Sequence, residues 1–548
     1  MKKNKERVAG VIWETVKEKK WLSLGIVLAV GGAVAALVFP PLILGRIIDA
    51  LTAGEGIRFA SAAAYFALIA LAGAMEALRE GGLTVFGQKI THALRSRLMA
   101  KFTRLSAESL NHQEPGALVS RFVGDVDTVE TLFTSGIVSM FADACKIVSI
   151  LAVIWFANRG LTLVLAALLP LLFWFTRCVQ KNVLAAQLAN RRAVSRASSH
   201  VPETLHNIRT IHTLGKEEYM EERYDEYIEE GYRAMEKTNF YDAVYSPVIL
   251  VLNAVVVAVV MLLSSSGEPR VLTLFGMTAG TAVAVMNYIG QIFTPVESLG
   301  MEIQTIQSAI AGVRRINEFF EQPEMPERNA LPAAREEGAA QVELRDVTFG
   351  YDDHTVLSHL SFSVHAGEQV TLAGRTGAGK STVFKLLMGL YEPQKGRVLI
   401  EGVPAADIPE SERRRLFGYV EQSFHLVPGS VKDQITLFDE SISMQAVRDA
   451  AALAGLAETI ERMPQGYDTL CTLQLFSQGQ WQLLSIARAA AANPRLLLLD
   501  EITANLDAET ENTVLQALRR VSQDRTVISI SHRTGARTGR IISIEALQ

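Results

Sequence analysis

Ten consecutive residues carry the types and spacing needed to hold a polyphosphate: Ala373-Gly374-Arg375-Thr376-Gly377-Ala378-Gly379-Lys380-Ser381-Thr382. From Gly374 onward the spacing is G-x-x-x-x-G-K-[ST], that of a P-loop. Glycines suit this task because backbone N–H groups must wrap a phosphate in conformations that a Cβ would block. The run Val383-Phe384-Lys385-Leu386-Leu387-Met388 reads as a helix whose positive N-terminal end points at the anion. Lys380 is placed to reach the β- and γ-phosphates, and the Ser381 hydroxyl to ligate Mg²⁺. The bland alternative is a glycine-rich turn with an incidental Lys-Ser. The strand-like run Gln369-Val370-Thr371-Leu372 before the loop and the helix after it speak against that alternative.

Downstream, Leu496-Leu497-Leu498-Leu499-Asp500 is a continuous apolar run ending in a carboxylate, the pattern of a central parallel strand. Asp500 would sit beside the P-loop and hold Mg²⁺ through water. Glu501 would polarise a water lined up on the γ-phosphate. His532 follows the strand-like Val527-Ile528-Ser529-Ile530 and could contact the γ-phosphate, although a lone histidine is more often structural. Phe476-Ser477-Gln478-Gly479-Gln480 precedes a strong helix pattern from Gln482 to Ala491, which makes a second phosphate-binding helix start. Two cradles in one domain make sense if they serve different nucleotides.

The elements that must position these groups occupy only the second half of the chain. The 548 residues are 49% hydrophobic with a net charge of −5, and the mean hydropathy is +0.20. That is too apolar for an ordinary soluble protein and too long for one domain. The charge balance gives no basic field for nucleic acid. Cys145, Cys178 and Cys471 lie too far apart for a metal-ligand spacing or a disulfide framework. Apolar runs of bilayer-spanning length come early: Trp21–Gly45, Phe59–Met75, Thr131–Asn158, Gly160–Thr176, Ala243–Gly267 and Val271–Val296. Six spans put both termini on one side. Lys17, Lys19, Lys20, Lys89, Arg95, Arg177 and Lys181 cluster in the segments on that side, which the positive-inside rule places in the cytoplasm. The basic start lacks a small-residue cleavage site, so a removable signal peptide is not expected.

Two connections, Glu76–Glu130 and Arg177–Asp242, are long, polar and largely free of helix breakers. They read as membrane helices continuing into the cytoplasm and turning back, near Asn111–Gly116 and near Asn207–Thr210. A pair of separate cytoplasmic hairpins is the alternative. After the last span a polar helix runs to Glu318, then the proline- and charge-rich Gln322–Glu327. Alternation at Val342–Phe349 opens an α/β region. The expected domains are a transmembrane domain at 1–320, a linker at 321–340 and a nucleotide-binding domain at 341–548.

The order of Tyr351, the P-loop, Gln422, Phe476–Gln480, Asp500-Glu501, Asn505-Leu506-Asp507 and His532 resembles the nucleotide-binding domain of an ATP-binding cassette (ABC) transporter. The six spans with two long cytoplasmic connections resemble the membrane domain of exporter-type half-transporters. Together these features cover nearly the whole chain. The resemblance implies a multidomain fold, an all-α six-span domain followed by an α/β P-loop ATPase. It implies ATP and Mg²⁺ as ligands. By the same resemblance Tyr351 would stack on adenine, and Gln422 would sense Mg²⁺ and the attacking water. Ser477, Gln478, Gly479 and Gln480 form the signature, with Ser477 and Gly479 contacting the γ-phosphate of ATP on a partner domain. Asp507 would communicate between sites, and the two turns would carry short coupling helices. The signature departs from the family in Phe476 for the usual Leu, Gln478 where Gly is commonest, and Trp481 where a basic residue is frequent. The preceding Leu470–Leu475 is shortened, which bears on how the domain meets the opposite coupling helix.

The resulting expectation is an ATP-hydrolysing half-transporter in the plasma membrane, multi-pass, with both termini cytoplasmic. It would export a drug, lipid or peptide-like compound. An importer of the same architecture and a non-transporting ATP-dependent regulator are the alternatives. One P-loop and one signature per chain call for a second half-transporter. The unusual signature flank and the short stretch after His532 point toward an unequal pair rather than a homodimer. A leader-cleaving peptide exporter is not expected, because no peptidase precedes the first span. Asp143 and Lys146 share a helix face at i, i+3 inside a span; they are substrate-contact candidates or a mutually neutralising pair.

Overall fold

The computed structural model describes residues 7–111, 113–264, 278–325, 340–352, 354–502, 507–531 and 539–544. The chain forms two compact units, Met1–Arg104 with Gln113–Gln322, and Leu105–His112 with Pro323–Gln548. Leu105–His112, inside the expected 1–320 domain, clusters with the second unit.

The first unit is all helix. Among the described residues, five helices are long and apolar enough to cross a membrane: Lys20–Thr52, Phe59–Phe102, Pro115–Phe156, Arg159–Leu214 and Glu217–Val259. The sixth expected span begins at Val271, outside the described residues; its remainder is the start of the helix Ala279–Phe320. That start is fixed against the first span. Asp49 accepts from the Gly280 N–H at 2.7 Å and from the Thr278 hydroxyl at 2.8 Å. A Cβ on Gly280 would lie 1.9 Å from the Gly45 carbonyl oxygen, so the two backbones touch. The buried Tyr288 hydroxyl donates to the Val38 carbonyl, beside Pro40 and Pro41 of the first span.

The spans continue as long polar helices. Arg159–Leu214 starts at an Asn158 cap, whose side chain accepts from Leu161 N at 2.9 Å, and stops at Gly215 in the left-handed region. The turn expected near Asn207–Thr210 is therefore corrected to Gly215. Asn207 stays helical with its amide donating to the Glu203 carbonyl, and Gly215 adopts αL without a Cβ penalty. Asp125 is 3% exposed and takes a two-pronged contact from Arg315, with distances of 2.5 to 3.1 Å. That contact ties Pro115–Phe156 to the last helix.

The second unit holds two sheets. An antiparallel sheet has the order β2-β1-β4-β5, formed by His354–Val364, Val342–Tyr351, Lys395–Ile400 and Val403–Pro404. A parallel sheet has the order β6-β7-β8-β3-β9, formed by Phe417–Val420, Leu496–Asp500, Thr526–Ile530, Gln369–Ala373 and Arg540–Ser543. Strand β7 is apolar from Leu496 to Leu499 because both of its faces are covered. Leu496 and Leu498 enter the core shared with β3 and the helix Lys380–Leu387. Leu497 and Leu499 enter a second core built mainly of helices.

Candidate functional site

The glycine loop leaves β3 at Ala373 and enters the helix Lys380–Leu387. Gly377 and Gly379 have φ of +87° and +90°, a region that admits glycine without strain. Gly379 is doubly constrained, since a Cβ there would lie 2.8 Å from Val356 and Leu357 of β2. It caps the helix with no side-chain hydrogen bond, so the first-turn N–H groups face the loop's own concavity. Lys380 is buried, and its amine donates to the Gly374 and Arg375 carbonyls at 3.0 and 2.9 Å. Ser381 is exposed at the helix start, whereas Thr382 is buried and lies 3.4 Å from the Tyr351 hydroxyl. Tyr351 stands edge-on to Phe349 and Tyr391, and the Lys385 amine lies over its ring.

Parallel register brings the acidic end of β7 to the same sheet edge. Leu372 of β3 pairs with Ile530 of β8, and Ile530 pairs with Asp500. Burial pushes the Asp500 carboxyl up; the Tyr419 hydroxyl, donating at 3.2 Å, pulls it back, as does the nearby Lys380. Tyr419 lies on the neighbouring strand β6, and burial pushes its own phenol up. Sequence reasoning passed over this residue; an aromatic in a strand reads as core. Glu501 turns off the strand with φ +43°, while its N–H bonds to the Ile530 carbonyl. Backbone strain of this kind concentrates at functional sites. Gln422 is exposed beyond β6, and its carbonyl accepts from the Gln482 amide at 2.6 Å. His532, Asn505 and Leu506 lie outside the described residues. The hydroxyl of Ser381 and the carboxylate of Asp500 are hard oxygen donors, and one Asp500 oxygen remains beyond the Tyr419 bond. Among the described residues no group of three or more His, Cys, Asp or Glu could hold a metal by itself. This donor set fits Mg²⁺ bound chiefly by substrate phosphates.

The signature opens the helix Gln478–Ala490 on the other core. Ser477 caps it: its hydroxyl accepts from Gln480 N at 3.3 Å, and the Gln480 side chain accepts from Ser477 N at 2.9 Å. Ser477 and Gln478 are exposed and Gly479 is buried. A Cβ on Gly479 would lie 2.1 Å from the Thr510 methyl. Thr510 belongs to the helix Ala508–Ser522, capped by Asp507, which accepts from Thr510 N. Side-chain and backbone hydrogen bonds from Thr510 hold the exposed Asp507 carboxyl below its ordinary value. Two of the departures from the family pattern, Phe476 and Trp481, pack together. Trp481 stacks on Phe424 with ring centres 4.8 Å apart and meets Phe476 edge-on. Arg488 lies 4.1 Å over Phe424 and donates to the Gln434 carbonyl; burial lowers its guanidinium to about 10.

Two family models divide the chain in the same order as this geometry: residues 22–296 match the ABC transporter transmembrane region and residues 357–504 match the ABC transporter model. The chain belongs to the ABC transporter family. An ATP-dependent lipid A-core flippase of Aromatoleum aromaticum is 33% identical over 81% of this chain and 73% of its own length. An ATM1-type heavy metal exporter of Novosphingobium aromaticivorans is 29% identical over 93% of this chain and 85% of its own. Among solved structures, a bacterial Atm1-family ABC exporter with ATP bound matches with a TM-score of 0.75 at 27% identity, covering 96% of this chain and 94% of that one. The protein is thus an exporter-type ABC half-transporter with an ATP-hydrolysing, α/β nucleotide-binding domain after a helical membrane domain.

In the membrane domain of this ABC transporter, Asp143 and Lys146 are not joined by an ion pair among the described residues. Asp143 instead accepts from the Ser298 hydroxyl on the last helix. Both residues face one cavity, and a donor on a facing helix meets the Asp143 carboxylate.

Proposed function

We propose that this ABC half-transporter exports its substrate across the plasma membrane as half of a two-chain unit, with both termini and the nucleotide-binding domain in the cytoplasm. The observation that carries the proposal is the placement of the P-loop and the signature on two different cores either side of β7. In this reading each ATP is held by the P-loop of one chain and the signature of the other. Residues 374–382 wrap the phosphates, Lys380 exchanging its two loop carbonyls for phosphate oxygens. Tyr351 stacks on adenine, its ring standing at the end of β1. Ser477, Gln478, Gly479 and Gln480 present the signature to the partner's nucleotide. Glu501 polarises the attacking water, with Gln422 and His532 lining the same space, and Asp507 lies between the sites. Ser381 and Asp500, with Gln422, would hold Mg²⁺, which when bound neutralises charge on the phosphates.

The Phe476–Trp481 departure packs within the chain, and the second half-transporter is either another copy of this chain or a related one. Purifying this chain expressed alone and weighing the ATP-bound particle separates a second copy from a related chain. The Glu501→Gln variant tests the chemistry. It should bind ATP, close into dimers and lose hydrolysis by about a hundredfold or more. In inverted vesicles the wild type should accumulate substrate inside. Hydrolysis near the wild-type rate in the variant would remove Glu501 from its role, and accumulation in right-side-out vesicles would reverse the direction.

A further inference from the structure

The membrane unit contains a cavity of about 550 Å³ between its first, second, third and last spans, within the range of small-molecule sites. One wall is apolar, with Val34, Leu37 and Leu44 from the first span and Ile69 from the second. The other carries Glu76, Arg79, Asp143, Lys146 and Gln291. Formal charges on that wall balance, but hydrogen-bonding capacity does not. Glu76 already accepts from Arg79 at 2.5 Å, and Asp143 already accepts from Ser298. The spare groups are two cationic donors and one amide acceptor. Arg79 Nε is buried without an acceptor. Lys146 has neither an ion pair nor a hydrogen bond among the described residues, and it shares the cavity lining with Glu76, Arg79 and Asp143. Gln291 Oε1 is a buried acceptor without a donor.

Donors left over beside an apolar wall select a ligand with an anionic head and an apolar body. The acids, already supplied with donors, offer a cation little. We propose that this cavity binds an amphiphilic anion. Its carboxylate or phosphate-type group would lie against Lys146 and Arg79, an N–H or O–H of the ligand would meet Gln291, and the apolar chain would run along Val34, Leu37 and Ile69. This assignment rests on the transport reading above and names the substrate class for it. Sequence reasoning reached Asp143 and Lys146 but took Glu76 and Arg79 as the start of a cytoplasmic extension, because a charge ends an apolar run.

The test uses the full-length protein in phosphatidylcholine nanodiscs, with dodecyl phosphate below its micelle concentration as probe and dodecyltrimethylammonium of equal chain length as control. Calorimetry should show saturable binding of dodecyl phosphate, with the cation about tenfold weaker or more. Lys146→Gln should weaken dodecyl phosphate about tenfold, and Lys146→Arg should restore it. Leu37→Trp, which fills the apolar wall and leaves the charges alone, should also lower binding. Adding phosphatidylglycerol to the nanodiscs assigns the source. Competition means that the bilayer supplies the anion, and an unchanged affinity means that it arrives from water; either result upholds the site. Equal binding of anion and cation would overturn the proposal, as would equal losses in Lys146→Gln and Lys146→Arg. ATP hydrolysis is measured on the same samples. Hydrolysis without anion preference sinks the cavity assignment alone, whereas anion binding with no hydrolysis sinks the transporter reading and leaves the site standing.

Discussion

The P-loop and the signature both open helices, yet they are built in opposite ways. The helix Lys380–Leu387 begins at a left-handed glycine with no side-chain cap, and its lysine folds onto the loop's own carbonyls. The helix Gln478–Ala490 begins at a reciprocal cap that already occupies the Gln480 and Ser477 N–H groups. An uncapped start has donors ready for an anion; a capped one must exchange its own side-chain bonds for the ligand's. The contrast suits a P-loop that holds nucleotide in the single chain, and a signature that engages only when a second chain brings its ATP.

The contrast breaks most visibly at Lys380. Lys380→Ala removes the one buried cation of the loop and should lower ATP affinity by about a hundredfold or more, read by fluorescent-nucleotide binding. The fold should hold, because the lost bonds run only to loop carbonyls. Gly479→Ala comes next. Its Cβ would strike the Thr510 methyl, and overpacking of this kind costs about 1–3 kcal/mol in thermal unfolding. Thr510→Ser removes that methyl and should recover most of the loss; a double variant no better than Gly479→Ala alone would show that the glycine serves something other than the contact with Thr510.

Ser477→Ala should cost about 1 kcal/mol of stability through the lost cap. It should also weaken ATP-dependent dimerisation while leaving nucleotide binding to the single chain intact. If binding to the single chain falls as well, the division between the two helix starts is wrong.

The smallest effect is expected at Tyr419. Its hydroxyl stabilises the ionised form of Asp500, whose carboxyl burial has already pushed up. Tyr419→Phe should raise the Asp500 pKa further and carry the acidic limb of the ATPase pH profile to higher pH, with a loss of a few-fold at mildly acidic pH, from a bond worth about 1 kcal/mol. The sign also runs into stability. A carboxyl raised by burial favours the folded form at pH below its unfolded value, and that advantage disappears as pH rises through its folded one. An unmoved acidic limb would free Tyr419 of any role toward Asp500.

What the sequence showed and what it hid divide along physical lines. The P-loop, the Leu496–Asp500 strand and five of the spans were legible because local spacing dictates them. The turn at Gly215 was misplaced to Asn207–Thr210, because a single glycine in a polar helix looks incidental. The demand for Gly479 was invisible without Thr510, thirty-one residues away. Ser298 meeting Asp143, and Tyr419 meeting Asp500, are likewise long-range pairings that no local pattern encodes.

The composite site is the central claim, and placing two substitutions in a covalently linked pair of chains tests it most directly. Lys380→Ala damages one P-loop and Ser477→Arg one signature. Placed on opposite chains they strike the same site, so one intact site should remain, with about half of the tight ATP binding measured by filtration of radiolabelled nucleotide. Placed on the same chain they strike both sites, and tight binding should vanish. Equal residual binding in the two arrangements would contradict the account.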